Sequence, residues 1–387
     1  LYAVTWAGML SLIAKLGFDT AAARFIPVFL ANGETARLHG FVRRGNIIVL
    51  FTSTALAILA AAIVYVAGSA LPAETQSVFW LTCPLLPLIA VSQWLQGVLR
   101  GFQRVVRSEL PERVVRPLLM MALITIVPMS GLNPGNAMSA VALHLAAMLA
   151  AVLLAAHWVR TALPGRVDTE PQYATGEWIR TSLPMAVVAI SFLVMSQIDI
   201  LMVGYLMGPA PAGNYGIAIR IAGLALLGLV AVNTILGPKI ADLHARRRYA
   251  GLQRVMIWTG RLNFIFSATV ATILVLFGIV ALSLFGVTAP ESYHALVILL
   301  AGYLAGSSVG SVGLLLTMAG QERVAAKILL AGIAANIALN AVLIPAWGLV
   351  GAAVATAVTT MSWRAAMAMI AWRRLSVNSF ILIPCRA

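Results

Sequence analysis

Charged residues are scarce in this sequence. Only 10% of its 387 residues are Asp, Glu, Lys or Arg, whereas soluble globular proteins carry about 25%. Acidic residues are the rarer kind, with 12 Asp and Glu against 26 Lys and Arg. Hydrophobic residues make up 61% of the chain, and the mean hydropathy is +0.96. This composition excludes a soluble domain and predicts a polytopic, all-α membrane protein, because long apolar runs mark membrane-spanning helices.

Cysteines and catalytic motifs are also nearly absent. Cys83 lies in an apolar run and Cys385 in the C-terminal tail, so they provide neither a disulfide framework nor metal-ligand spacing. No HExxH, CxxC, P-loop or GxGxxG pattern occurs in a suitable context. The GSSVG stretch at 306–310 lies in an apolar segment predicted to be helical, whereas a nucleophile elbow must follow a strand. We therefore expect no enzyme, no metal and no cofactor.

The net charge of +14 does not indicate a nucleic-acid partner, because that reading requires basic residues gathered on one soluble face. Here they are scattered in short loops between apolar segments. Eleven such segments are predicted, near 2–30, 46–68, 78–99, 114–130, 137–159, 183–207, 215–236, 262–287, 295–318, 325–345 and 348–371. We expect membrane lipids to be partners of this chain and nucleic acid not to be.

Basic and non-basic loops alternate between these segments. The loops around Arg247 and Arg323 are basic, whereas those around Pro209 and Glu291 contain no cation. The positive-inside rule places the basic loops in the cytoplasm, together with the C-terminus.

An internal repeat divides the chain. Equivalent residues recur 211 to 213 positions apart, in the pairs Tyr2 and Tyr215, Pro27 and Pro238, Gly135 and Gly348, and Arg160 and Arg373. We predict an N-terminal bundle over 1–165 and a C-terminal bundle over 166–387. The segment 183–207 opens the second repeat, and its counterpart would precede Leu1, so eleven of twelve helices are expected. Repeats of six helices predict two bundles related by a pseudo-two-fold axis along the membrane normal.

Several motifs resemble one family of transporters. They are LGFDTAAARFIP (16–27), IDILMVGYLMGPAPAGNYGIAIRI (198–221), GPKIADL (237–243) and LNAVLIPAWGLVGAAVAT (339–356). In order and spacing they resemble the Wzx-type polysaccharide flippases, which are relatives of the multidrug and toxic-compound extruders. The resemblance implies export of undecaprenyl-diphosphate-linked oligosaccharide units across the bacterial inner membrane by alternating access.

Charged residues inside apolar segments are the candidate site residues. A charge at the bilayer centre costs about 2.5 to 3.5 kcal/mol on insertion scales, so it tends to face a cavity or a partner. Asp199 and Arg220 lie at similar depth on consecutive segments and are predicted to pair, either as a clip between helices or as a cavity charge that binds diphosphate.

The remaining candidates lie at both ends of the chain. Lys15 and Asp19 are spaced i, i+4 and can neutralise each other on one helix face. Arg24 and Arg364 lie near predicted cytoplasmic ends and can extend their charged groups to the membrane surface. Together the six residues are net cationic, which predicts an anionic substrate.

Other transporter classes remain open at this stage. A multidrug or cation antiporter is the main alternative, although the two deep carboxylates, Asp19 and Asp199, each have a possible cationic partner. A major-facilitator transporter shares the two-by-six plan, but the defining Asp of its loop signature is absent from NGETARLHGFVRRG (32–45). A membrane polymerase or ligase typically has a large periplasmic loop, which the sequence does not predict.

Overall fold

The computed structural model describes residues 2–66, 73–126, 137–165 and 170–377, and all regular elements in these ranges are helical. The helices are α1 (Tyr2–Ala14), α2 (Phe18–Asn32), α3 (Thr35–Val66), α4 (Ala73–Thr82), α5 (Leu85–Gly101), α6 (Val105–Leu110), α7 (Arg116–Ile126), α8 (Ala137–Ala162), α9 (Thr175–Met207), α10 (Pro209–Ala222), α11 (Leu227–Ala245), α12 (Tyr249–Ser283), α13 (Pro290–Ser307), α14 (Val312–Met318) and α15 (Glu322–Leu375).

The chain forms two compact units, Leu1–Val187 and Val188–Ala387. The boundary lies inside α9, beyond the division predicted between residues 165 and 166. The first turns of α9 belong to the first unit because Trp178 is fully buried there. Its ring packs edge-on against Phe41 of α3, with the ring centroids 5.3 Å apart.

Helix α12 shows how the bundles pack. Most of its buried positions recur every three or four residues, and the consecutive ones in its middle are small or polar: Gly260, Asn263, Ser267 and Ala271. Large apolar side chains such as Leu276 are exposed instead. Small residues on the packing face allow helix backbones to approach closely, while large apolar side chains suit contact with lipid. This distribution is typical of a membrane-embedded helix.

Helix α15 is a hairpin rather than one straight rod. It breaks at Gly348, where φ is 57° and ψ is −134°. Arg374 donates a 2.7 Å hydrogen bond to the side chain of Gln321, although a straight helix would separate them by about 80 Å at 1.5 Å per residue. The chain therefore reverses at Gly348 and forms two antiparallel arms, residues 322–347 and 349–375.

Seven helices in the described part of the chain are long and apolar enough to cross a membrane, or eight if α13 and α14, bent by 44°, form one span. The sequence predicted eleven segments. The two arms of α15 count here as one helix, the predicted segment 2–30 is broken between α1 and α2, and the described part of the predicted segment 114–130 ends at Ile126. Breaks within segments and the bounds of the described residues therefore account for the lower number.

The order of helices repeats along the chain, as the sequence predicted. Helices α2 and α11 end at Asn32 and Ala245, and α8 and α15 end at Ala162 and Leu375. Each pair of ends is 213 residues apart. The described ends of these helices therefore keep the spacing of the sequence repeat.

One detail of the predicted repeat is wrong. The sequence predicted that Pro27 and Pro238 end their helices, but they lie inside α2 and α11, since each helix continues past the one hydrogen bond that its proline removes. Gly135, another marker of the repeat, lies outside the described residues, as does Arg386 in the C-terminal tail.

Candidate functional site

A cluster of buried polar side chains surrounds Asp199 in the second unit. Asn340 Nδ2 donates to Asp199 Oδ1 at 2.7 Å, and Thr356 Oγ1 donates to Asp199 Oδ2 at 2.5 Å. Asn336 and Thr359 extend the chain of hydrogen bonds, since Asn340 also donates to Asn336 and Asn336 donates to Thr359. All five side chains are buried, and Asp199 and Asn340 are 0% exposed. A buried carboxylate requires such donors, because an unpaired charge in an apolar interior is strongly disfavoured.

This cluster can hold a proton without moving any of these heavy atoms. The Thr356 hydroxyl lies 3.0 Å from the carbonyl of Ala352 as well as 2.5 Å from Asp199. When the carboxylate is ionised, the hydroxyl donates to Asp199. When Asp199 is protonated, its own O–H can donate to Thr356 Oγ1, whose hydrogen then turns to Ala352. The same hydrogen-bonded positions therefore suit both charge states of the carboxyl group.

A cavity of about 350 Å³ lies beside the cluster and is lined by residues of the second unit only. Asn336, Thr356 and Thr359 contribute to its wall, and its charged lining residues are Arg220 and Arg364. No carboxylate is among the lining residues, and Asp199 lies behind them. The described cavity is therefore cationic, with polar groups along one wall.

The predicted ion pair between Asp199 and Arg220 is not formed. The oxygens of Asp199 accept hydrogen bonds from Asn340 and Thr356, and the ion pairs found in the described ranges do not include Arg220. Arg220 is exposed and lines the cavity instead. The clip between two helices, which was one of the two alternatives, is replaced by amide and hydroxyl donors from α15.

Arg364 was expected to reach the membrane surface, but its side chain is buried. Its residue exposure is 8%, and Nη1 donates a 3.0 Å hydrogen bond to the carbonyl of Gly306. Gly306 is in the last turn of α13, and carbonyl groups at a helix C-terminus lack partners within the helix. The break after Ser307 therefore supplies Arg364 with an acceptor inside the bundle.

The same break corrects the interpretation of residues 306–310. This stretch is not within a continuous helix, because α13 ends at Ser307 and Gly310 has a φ of 67°. Close packing of small residues is observed at Gly302, where an added Cβ would lie 2.8 Å from the backbone of Ala357.

In the first unit, the predicted ion pair between Lys15 and Asp19 is confirmed. Lys15 Nζ lies 2.7 Å from Asp19 Oδ2, and both side chains are nearly buried. The pair does not lie on one continuous helix, since the chain breaks at residues 15–17, with positive φ at Leu16 and Gly17. It joins the end of α1 to the first turn of α2, where an acidic side chain is favoured by the helix dipole.

Arg24 is half-buried, and its guanidinium carbon lies 5.6 Å from the centroid of the Phe25 ring. This distance indicates a cation–π contact between Arg24 and the Phe25 ring. Its participation in substrate binding stays a prediction.

Sequence reasoning missed the partners of Asp199. Asn336 and Asn340 are i, i+4 neighbours in an otherwise apolar segment, as the sequence IAANIALNAVLI shows. Amides repeated on one face of a membrane helix indicate a buried polar contact. That signal was available, but the identity of the partner was not.

Comparison with known families now bears on function. A family model described as polysaccharide biosynthesis protein matches residues 1–244, which is more than half of the chain. The chain belongs to the polysaccharide biosynthesis protein family. A search of curated proteins gives no match.

Members of the MATE family have the same fold. A MATE in the straight conformation matches with a TM-score of 0.81 at 16% identity, and an outward-facing multidrug resistance MATE transporter of the MOP superfamily with 0.78 at 16%. A MOP superfamily transporter from Pyrococcus furiosus, with a binding pocket of reverse polarity, matches with 0.75 at 14%. Each match covers 96% of this chain and 86% of the other.

The family and the fold are those of membrane transporters rather than enzymes. The predicted resemblance to polysaccharide exporters and the predicted all-α fold in two units are confirmed. This member of the polysaccharide biosynthesis protein family is a multi-pass membrane protein with the fold of the MATE transporters.

Proposed function

We propose that the protein moves undecaprenyl-diphosphate-linked oligosaccharide units across the bacterial inner membrane by alternating access. The observation that carries this proposal is the cavity in the second unit, whose charged lining residues are two arginines. Family membership supplies the link to polysaccharide. The negatively charged diphosphate group would bind to these two arginines.

The chemistry of arginine suits such a ligand. The guanidinium group is planar and presents several N–H donors in a fork that matches phosphate oxygens. Hydrogen bonds between ionised partners are about twice as strong as those between neutral groups. Arg220 is exposed on the wall of the cavity, so it can contact a ligand without first leaving a partner seen in the described residues.

Export of a cationic drug is the second candidate, and the position of Asp199 speaks against it. An antiporter of that type needs a carboxylate that the cation can reach. Asp199 is 0% exposed, does not line the cavity, and has hydrogen-bond donors on both oxygens. A cation entering this cavity would meet the two arginines first.

The test is export in cells that depend on this protein for surface polysaccharide. Arg220→Ala should lower surface polysaccharide about ten-fold, the effect of losing one hydrogen bond to a charged group, while the amount of protein in the membrane stays near normal. Arg247→Ala, in the exposed turn between α11 and α12, is the matched control and should export normally. Susceptibility to cationic drugs should not change in either strain.

Normal export by the Arg220 variant would refute the anionic-ligand proposal. A rise in drug susceptibility with unchanged polysaccharide would favour the antiporter instead. Membrane fractionation of the same cells would test the inner-membrane location.

A further inference from the structure

Arg364 lies between two possible partners. On one side, Nη1 donates to the carbonyl of Gly306, at the end of α13. On the other side, the residue lines the cavity. Its Nε is buried with no hydrogen-bond partner, and no bond of Nη2 is found in the described part of the chain. The guanidinium group therefore makes fewer hydrogen bonds in the described residues than it has donors.

The Gly306 carbonyl belongs to a weak point in the transmembrane bundle. Helix α13 ends at Ser307, α14 begins at Val312, and the two are bent by 44°. The turns between them are held by backbone hydrogen bonds between residues three positions apart. One of these runs from the Val309 N–H to the same Gly306 carbonyl and is long, at 3.4 Å. Two side chains tie this break to other helices: Arg364 on α15 bonds the Gly306 carbonyl, and Ser311 Oγ donates a 2.5 Å hydrogen bond to Asn233 Oδ1 on α11.

We propose that an anionic phosphate group in the cavity draws Arg364 away from Gly306, so that ligand binding loosens the break between α13 and α14. The inference rests on the proposed function only in taking the ligand to be a phosphate ester. Arg364 would then alternate between two partners, the Gly306 carbonyl and the bound phosphate. The helix break would respond to whether the cavity is occupied.

The hydrogen bonds of Arg364 to a phosphate group and to the Gly306 carbonyl are close enough in strength for the side chain to exchange between them. A phosphate oxyanion forms a charge-assisted hydrogen bond, about twice as strong as a neutral one. The Gly306 carbonyl is more than an ordinary neutral acceptor, because the C-terminus of a helix carries about half a negative charge. After Arg364 leaves, the Gly306 carbonyl keeps only the long 3.4 Å bond from the Val309 N–H, so the turn after α13 is held less firmly.

Gly306 allows the two roles of Arg364 to be separated. A Cβ added at this position would lie 3.0 Å from Cδ and 3.1 Å from Nε of Arg364. Gly306→Ala should therefore shift the side chain by a few tenths of an ångström and weaken its bond to the carbonyl, while leaving its charge beside the cavity. Gly313→Ala is the matched control on the neighbouring helix, since its Cβ would make only an ordinary contact of 3.5 Å with Met367.

The test uses purified full-length protein in lipid nanodiscs, with farnesyl diphosphate as the probe. Amide hydrogen exchange at residues 308–312 should speed up at least three-fold when the probe binds to the unmodified protein. In Gly306→Ala, exchange should be fast without the probe, and affinity should be unchanged or several-fold tighter because the competing partner is lost. In Arg364→Gln, exchange should also be fast, but affinity should fall about ten-fold.

The outcomes separate this inference from the proposed function. If the probe binds and Arg364→Gln weakens it, but exchange at 308–312 does not respond, the coupling is wrong and the anion site stands. If Gly306→Ala loses affinity as Arg364→Gln does, the two-partner role is wrong. If the unmodified protein does not bind the probe, the proposed function fails. Arg364→Lys, which keeps the charge, provides a second variant if Arg364→Gln does not fold.

Discussion

Asn340 donates a 2.7 Å hydrogen bond to Asp199, a residue 141 positions earlier in the chain. The bond joins the first arm of α15 to α9, and the bond from Thr356 to Asp199 joins the second arm to the same carboxylate. One acidic side chain thereby holds three helical segments of the second unit together. The Asp199 carboxylate should therefore contribute more to the free energy of unfolding than a single contact does.

Replacing Asp199 should destabilise the second unit. Asp199→Ala leaves the donors of Asn340 and Thr356 facing an empty space, and each unsatisfied buried group costs about 1 to 3 kcal/mol. Asp199→Asn keeps one acceptor oxygen and should cost less. Thermal unfolding of the purified protein in detergent would measure both.

The control for this series is Asp242→Asn. Asp242 forms an ion pair with Arg246 one helical turn away, and the arginine side chain is about half exposed at 47%, so loss of the pair should change stability by less than about 0.5 kcal/mol. Equal stability of the Asp199→Ala and Asp242→Asn proteins would contradict the role assigned to the cluster.

The Lys15 and Asp19 pair should show strong coupling. Lys15→Met or Asp19→Leu alone leaves a nearly buried charge without its partner, which costs about 3 to 5 kcal/mol. The double variant removes both charges and should be close to the unmodified protein in stability. A double-mutant cycle on unfolding free energies measures the coupling.

Export by the double variant then decides what the pair is for. Stable protein with normal export means that the pair only secures the break between α1 and α2. Stable protein with lost export means that the charges also serve transport. Single variants as stable as the unmodified protein would disprove the predicted coupling.

Gly302 should not tolerate a methyl group. In Gly302→Ala the new Cβ would lie 2.8 Å from the Cα atom of Ala357 on α15, and overpacking of this kind costs about 1 to 3 kcal/mol. Gly213→Ala is the matched control inside a helix, because its Cβ meets nothing within 4 Å. It should be neutral or more stable by up to about 1 kcal/mol. Similar melting temperatures for the two variants would show that α13 and α15 are less tightly packed than described.

Cysteine labelling should place the two ends of the α15 hairpin on opposite sides of the membrane. In a background without Cys83 and Cys385, cysteines at Arg247 and Arg374 should react only after the inner membrane is permeabilised. Cysteines at Glu291 and Trp347 should react in intact cells. The structure supports this grouping, because a Cβ on Gly348 would lie 3.6 Å from the Glu291 carboxylate.

Labelling of position 374 from outside, together with 347, would mean that α15 does not reverse within the membrane. Labelling of position 247 from outside would overturn the whole orientation, including the cytoplasmic C-terminus that we infer.

The features that the sequence predicted are local or periodic. The apolar segments, the repeat of about 213 residues and the i, i+4 pair of Lys15 and Asp19 depend on spacing along the chain, and spacing is visible in a sequence. The reversal at Gly348 was also predicted, because 325–345 and 348–371 read as separate segments.

The features that it missed depend on distant partners. Arg220 lies at similar predicted depth on the next apolar segment, but the observed partners of Asp199 lie 141 and 157 residues away. Arg364 was expected at the membrane surface. The sequence did not reveal the acceptor that holds it inside, because the Gly306 carbonyl is available only where α13 breaks. The apolar residues around 306–310 predicted a continuous helix, and an apolar run does not distinguish a continuous helix from an interrupted one.

The distance in sequence between Asp199 and its partners has a consequence for biosynthesis. At translation rates of about 5 to 20 residues per second, the carboxylate is made about 7 to 30 s before Asn340. Throughout that interval α9 presents an acidic group to the insertion machinery, and the donors that will receive it have not yet been synthesised. Variants that weaken insertion of α9 should therefore act during translation, before the folded protein exists to be destabilised.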